Sequence, residues 1–190
     1  MTSNSSNKIG YVAIIMDGNS RWARQRSLKT IEGHKQGVNR LRDIVRYSAK
    51  SEITHLSVFA FSTENWKRSA SDVSDLMKLF LQSIIKEVPE LIENKVQLNF
   101  IGDIPRFSKS LVSQINSAMK DTQAKKPNLN LNMAISYGGR WDILNAIKRL
   151  KDQQLNIDKI NEEEFSNLLS TSNFPDPDLL IRTGDEIRIS

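Results

Sequence analysis

The chain has 190 residues, 38% of them hydrophobic, with eight glycines and five prolines, which suits one globular core and excludes a low-complexity or collagen-like chain. It contains no cysteine, so disulfide frameworks, thiolate metal sites and thiol nucleophiles are excluded, and a cytoplasmic setting is expected. A formal charge of +5, from 27 basic against 22 acidic residues, points to anionic partners, yet no run of five or six like charges marks a nucleic-acid-binding arm.

Residues 1–9 are polar, carry no signal-like apolar stretch and are expected to form a disordered tail ahead of one domain over residues 10–190. Tyr11–Met16 opens the domain as a nearly continuous apolar run, the pattern of a strand buried on both faces. Gly33–Glu52 then places Val38, Leu41, Val45 and Ala49 on one helical face. His55–Ala60 reads as the second strand. Asp72–Asn94 follows as a helix with Val73, Leu76, Phe80, Ile84, Val88 and Leu91 in register, and Pro89 within it predicts a kink or a break. Strand Val96–Ile101, helix Ser108–Lys125, strand Leu129–Ile135, helix Arg140–Lys151, a short helix in Asn161–Leu169 and strand Leu179–Arg182 complete the order. Alternating strands and helices predict a single α/β domain with a mostly parallel central β-sheet flanked by helices.

In such a sheet, ligands bind beyond the carboxyl ends of the strands. The loops there are Asp17-Gly-Asn-Ser-Arg-Trp22, Phe61-Ser-Thr-Glu-Asn-Trp-Lys-Arg68, Gly102-Asp103, Ser136-Tyr-Gly-Gly-Arg-Trp141 and Thr183-Gly-Asp-Glu-Ile-Arg-Ile-Ser190. Four of the five pair arginine with small or hydroxyl residues, donors whose geometry suits phosphate oxygens. Asp17 adds a hard oxygen suited to Mg²⁺ shared with substrate phosphates. Together they predict a diphosphate site. Neither a P-loop nor a dinucleotide glycine motif occurs. Singly, Asp-Gly-Asn also reads as a plain turn, and Trp22, Trp66 and Trp141 as packing residues.

The separated motifs Met16-Asp-Gly-Asn-Ser-Arg-Trp-Ala23, Gly33-His-Lys35, Phe59-Ala-Phe-Ser-Thr-Glu-Asn-Trp66 with Arg68, Ile101-Gly-Asp103, Tyr137-Gly-Gly-Arg-Trp-Asp142 and Ile181-Arg-Thr-Gly184 resemble, in order and spacing, the cis-prenyltransferases, in particular the undecaprenyl diphosphate synthase-like isoprenyl transferases. The resemblance implies an enzyme that condenses isopentenyl diphosphate onto an allylic diphosphate, such as farnesyl diphosphate, with cis stereochemistry to make a long polyprenyl diphosphate. By the same resemblance, Asp17 holds Mg²⁺ and is catalytic, and Asn65 takes part in proton removal. Gly18, Asn19, Ser20, Arg21 and Trp22 hold the allylic substrate with Thr30, His34 and Arg68 nearby. Ser62, Thr63, Glu64 and Trp66 are further substrate positions, and Arg182, Arg188, Ile189 and Ser190 receive isopentenyl diphosphate. A small residue at Ala60 and a floor residue at Leu129 go with long products.

The resemblance also implies a homodimer, peripheral membrane contact through the lipid product, and no nucleic-acid partner. Three positions depart from the family pattern: Thr30 in place of an arginine, Ser20 in place of a common glycine, and Asp185 in place of a glycine or serine. Relatives continue past the position of Ser190 with a last strand bearing a second metal-binding glutamate and C-terminal helices. The expectation is a chain truncated there, its last strand and C-terminal helices missing. The alternative function expected on that ground is an inactive remnant or a non-catalytic subunit of a prenyltransferase complex.

Overall fold

The structure, a computed structural model, describes residues 8–188. Five strands, β1 (Tyr11–Ile15), β2 (His55–Ser62), β3 (Val96–Ile101), β4 (Leu129–Tyr137) and β5 (Leu179–Arg182), form one sheet in the order β3-β4-β2-β1-β5, every neighbouring pair parallel. Helices α1 (Asn19–Arg24), α2 (Thr30–Ser48), α3 (Ala70–Glu93), α4 (Lys109–Asp121), α5 (Gly139–Asp152) and α6 (Glu162–Ser166) connect and flank it. The predicted α/β architecture is therefore present. Most of the predicted tail lies outside the described residues; Lys8, at its end, pairs with Glu52 at 3.0 Å.

Strand alternation divides the sheet into two unlike faces. Val12, Ile14, Leu56, Val58, Leu98 and Leu131 point to one side and form the main core with Val45 of α2, Ile84 and Leu91 of α3, and Leu111 and Ile115 of α4. The other side carries a polar ladder: Tyr11 Oη lies 2.6 Å from Ser57 Oγ, Asn132 donates to Ser57, and Asn99 donates to Asn132. Strand β1 is thus apolar in sequence yet borders a hydrogen-bonded layer, which satisfies Asn132 although that side chain is fully buried. A second, smaller core joins Ala146 and Leu150 of α5 to Leu168 after α6.

Pro89 does not break α3, which runs unbroken over 24 residues. Ile84 and Leu91 are buried on either side of it, and Glu87 and Glu90 are both tied to arginines of α2, so tertiary contacts hold the two halves in one helix. Strand β5 forms an edge, with Leu179, Leu180 and Ile181 between 39% and 46% exposed.

Candidate active site

The sheet branches on either side of β1: β2 pairs along one edge and β5 along the other. The loop leaving β1 therefore enters a cleft where the strand order reverses, with neighbours added on both sides of β1, and such points are where open α/β sheets bind ligands. Asp17 sits there. Its Oδ1 accepts from the Gly18 N–H at 2.6 Å, and its Oδ2 accepts from Arg182 Nε at 3.2 Å and Nη2 at 2.7 Å. Arg21 Nη2 stands 3.6 Å from the same oxygen. Thr183 ties the loop down, its Oγ1 accepting from the Asp17 N–H at 3.0 Å and donating to the Asp17 carbonyl at 2.7 Å. The Arg182 guanidinium, ahead of the Gly18 N–H, holds the Asp17 carboxyl below its ordinary value despite burial, so it is ionised at neutral pH.

Helix α1 starts directly after Gly18, whose φ of 94° is open to glycine at little cost. Asn19 is pressed into α2: its carbonyl lies over Gly33 and its side-chain amide over Gly37, positions where any Cβ would collide. Arg21 also reaches Asp185 Oδ2 at 3.1 Å, and Trp22 carries the Arg26 guanidinium on its ring face at 4.4 Å. Thr30 begins α2. One turn on, His34 lines the cavity, and its Nε2 is buried with no hydrogen-bond partner among the described residues. Burial, reinforced by the Arg68 charge, holds its imidazole below the usual 6.5 and keeps it neutral at neutral pH.

The second loop is set by irregular pairing. Phe59 faces Ala134 and Phe61 faces Ile135, so Ala60 is the extra residue of a bulge and its side chain is exposed to the cavity. Ser62 then leads into a 3-10 helix, Thr63–Lys67. Asn65 Oδ1 accepts from the Ser62 N–H at 2.9 Å, which commits its carbonyl oxygen and leaves its amide hydrogens to donate. Trp66 is turned the other way, packed against Phe61 and Phe107 with its Nε1 donating to Ser136 Oγ at 2.9 Å. It fills the core beneath the loop rather than the cavity wall.

One cavity of about 1190 Å³ collects these groups. Asp17, Asn19, His34, Ser62, Thr63, Glu64, Asn65, Arg68, Arg182 and Arg188 line it. Gly18 just before α1, Ser20, Arg21 and Trp22 on α1, and Thr30 at the start of α2 are not part of its lining, and Ile189 and Ser190 lie outside the described residues. The wall continues through Val38, Leu41 and Val45 of α2, Ala49 just after it, and Leu76, Phe80, Ile84 and Leu91 of α3. Leu129 is fully buried at the start of β4, and its register partner Val96 borders the cavity instead.

Several contributors were not on the sequence-derived list. Gly33 and Gly37 admit Asn19, and Thr183 fixes the Asp17 backbone. Ser136 adopts φ 48°, an uncommon conformation for a side-chain-bearing residue, and anchors Trp66. Arg42 grips Glu87 through Nε at 2.7 Å and Nη2 at 2.5 Å, and Arg46 grips Glu90, joining α2 to α3 along the cavity. The glycines had a signal in their i, i+4 spacing; the ion pairs, separated by 45 and 44 residues, had none.

A carboxylate-and-guanidinium-bearing mouth leading into an apolar interior suits ionised head groups carrying hydrocarbon tails. Comparison with known proteins agrees. The prenyltransferase family model described as "Putative undecaprenyl diphosphate synthase" matches residues 15–190. The chain is 46% identical over 184 residues to the ditrans,polycis-undecaprenyl-diphosphate synthase ((2E,6E)-farnesyl-diphosphate specific) of Pasteurella multocida, spanning 95% of this chain and 76% of that protein. It is 44% identical over 180 residues to the isoprenyl transferase of Neisseria meningitidis, spanning 95% and 71%. Among solved structures, lavandulyl diphosphate synthase from Lavandula x intermedia, in complex with dimethylallyl diphosphate, superposes with a TM-score of 0.89 at 35% identity, covering 96% of this chain and 80% of that one. The chain belongs to the cis-prenyltransferase family and is a transferase of prenyl groups.

Proposed function

We propose that this chain condenses isopentenyl diphosphate onto an allylic diphosphate, such as farnesyl diphosphate, with cis stereochemistry and in a Mg²⁺-dependent manner, making a long polyprenyl diphosphate. The observation that carries the reading is the continuity of one cavity from Asp17, Arg68 and Arg182 at its mouth to the apolar faces of α2 and α3. Those are the two environments that a diphosphate ester with a growing hydrocarbon requires. The farnesyl specificity in the name of the Pasteurella relative supports the choice of allylic substrate.

In this reading Arg21, Arg68 and the loop from Gly18 to Ser20 hold the allylic diphosphate, with His34 as a neutral hydrogen-bonding partner. Ionisation of the allylic C–O bond gathers negative charge on the leaving group, so donors fixed in advance stabilise the transition state more than the bound substrate. A single carboxylate suits Mg²⁺ that arrives with diphosphate oxygens, and no group of three or more candidate ligands occurs among the described residues. Bound there, Mg²⁺ supplies charge neutralisation to the departing diphosphate. Asn65 does not serve as the base, because a carboxamide is far too weakly basic, and its carbonyl already accepts from the Ser62 N–H. It donates from its amide and orients the diphosphate oxygens that accept the proton. Arg182 and Arg188, with Ile189 and Ser190, receive isopentenyl diphosphate.

The reading further includes a homodimer in the cytoplasm that meets membranes through its product; no helix among the described residues is long and apolar enough to cross one. Incubation with both diphosphates, followed by chromatography and NMR of the dephosphorylated product, tests it. A polyprenyl alcohol with cis internal units, absent when EDTA replaces Mg²⁺, is expected. Trans geometry in the units added to the farnesyl primer, or EDTA-resistant synthesis, contradicts it.

A further inference from the structure

Asp17 is engaged on both oxygens: Oδ1 by the Gly18 N–H, and Oδ2 by two N–H groups of Arg182 with Arg21 at 3.6 Å. The Arg182 side chain is only 13% exposed and is steadied further by its Nη1, which donates to the Arg188 carbonyl at 2.9 Å. A divalent cation approaching Oδ2 would meet a guanidinium at hydrogen-bond distance, and like charges so close in a half-buried cleft repel strongly. Yet the fork that grips Asp17 is also the group whose shape best fits a diphosphate.

We propose that Arg182 is an internal counter-cation that bars Asp17 from holding a divalent cation until a diphosphate draws the guanidinium away, so that cation and diphosphate bind as a coupled pair. The proposal rests on the reading that Asp17 is the metal ligand. Arg21 is already divided between Asp17 and Asp185, at 3.6 and 3.1 Å, which gives that second guanidinium an alternative partner when Asp17 changes hands. Coupling of this kind is reciprocal: the factor by which diphosphate raises cation affinity is the factor by which the cation raises diphosphate affinity. Arg182 thereby acts on the cation through Asp17, beyond any contact of its own with substrate. A pair that merely braced β1 against β5 would stabilise the fold and leave cation affinity untouched.

The test titrates Mn²⁺ into the full chain and reads free Mn²⁺ by electron paramagnetic resonance. Parent, Arg182→Gln and Arg182→Met are compared, each also in the Asp17→Asn background. Expected is Mn²⁺ binding about tenfold tighter in both Arg182 variants, a factor within the usual range of coupling between sites, with the gain abolished by Asp17→Asn. Equal affinities in parent and variants, or a gain that survives Asp17→Asn, overturns the proposal. If the variants do not fold, the Arg182 ¹⁵Nε signal of the parent answers the same question. Inorganic diphosphate is expected to shift it and Mg²⁺ alone to leave it in place; an equal shift from Mg²⁺ alone overturns the proposal. Because neither readout involves turnover, a chain that elongates prenyl diphosphates without the Mn²⁺ gain sinks this inference alone.

Discussion

Replacing Gly33 with alanine should separate the two helices that frame the mouth. A Cβ at Gly33 would stand 2.0 Å from the Asn19 carbonyl oxygen and 3.1 Å from the Ala23 Cβ, against ordinary contacts of 3.4–4 Å. Both the intruding atom and the carbonyl belong to backbone-anchored positions, so no rotamer change relieves the clash and α1 must move off α2 by more than an ångström. Overpacking of this kind costs about 1–3 kcal/mol. In a chain of this length that lowers the melting temperature by about 2–4 °C for each kcal/mol. The same movement carries Asn19 and Arg21 away from His34 and Arg68, and a shift of about 1 Å in positioning groups can cost about 10²-fold in rate. Gly139→Ala is the control, because nothing lies within 4 Å of its added Cβ; its effect should stay within about 0.5 kcal/mol. Urea unfolding followed by circular dichroism gives the stabilities, and initial rates of prenyl transfer give the activities. Gly33→Ala as stable and as active as Gly139→Ala would refute the packing argument.

Three other outcomes follow from the same geometry. Ala60→Leu, at the bulge on the cavity wall, should shorten the product resolved by reversed-phase chromatography; unchanged chain length contradicts the reading that the growing chain occupies the cavity. Glu87→Ala leaves the Arg42 fork facing an apolar cavity and should cost about 1–2 kcal/mol, between exposed and buried pairs, whereas Arg42→Met with Glu87→Leu should melt near the parent temperature. His34 has a folded pKa below its unfolded 6.5, so the unfolded chain takes up the proton first. Its contribution is complete above pH 6.5 and is lost as pH falls toward the folded value. His34→Gln should therefore flatten the decline in unfolding free energy between neutral and mildly acidic buffer, and parallel declines would contradict the burial argument.

The five strands were legible because their apolar stretches are short and bounded by polar or glycine-bearing segments, and the parallel pairing placed the predicted loops at one end. Helix α1 was not: six residues beginning immediately after Gly18 carry too little periodicity to register. Thr30 rather than Gly33 begins α2, since Thr30, Ile31 and Glu32 have no apolar periodicity of their own. Pro89 misled in the opposite direction, a local rule overridden by packing on both flanks and by two interhelical ion pairs. Of the site, the residue types were readable but their orientation was not. The bulge that exposes Ala60 and the inward turn of Trp66 depend on how β2 meets β4, strands more than sixty residues apart. The Asp17–Arg182 contact spans 165 residues and arises only from the pairing of β1 with β5. Linear spacing contains none of that.

The central claim is that the cleft at Asp17 is where prenyl transfer occurs. Transfer of labelled isopentenyl diphosphate onto farnesyl diphosphate with Mg²⁺, by this chain and by its folded Asp17→Ala variant, tests it most directly. The account predicts lipid-extractable label from the parent and essentially none from the variant. Equal transfer by both, or none by a folded parent, would contradict it.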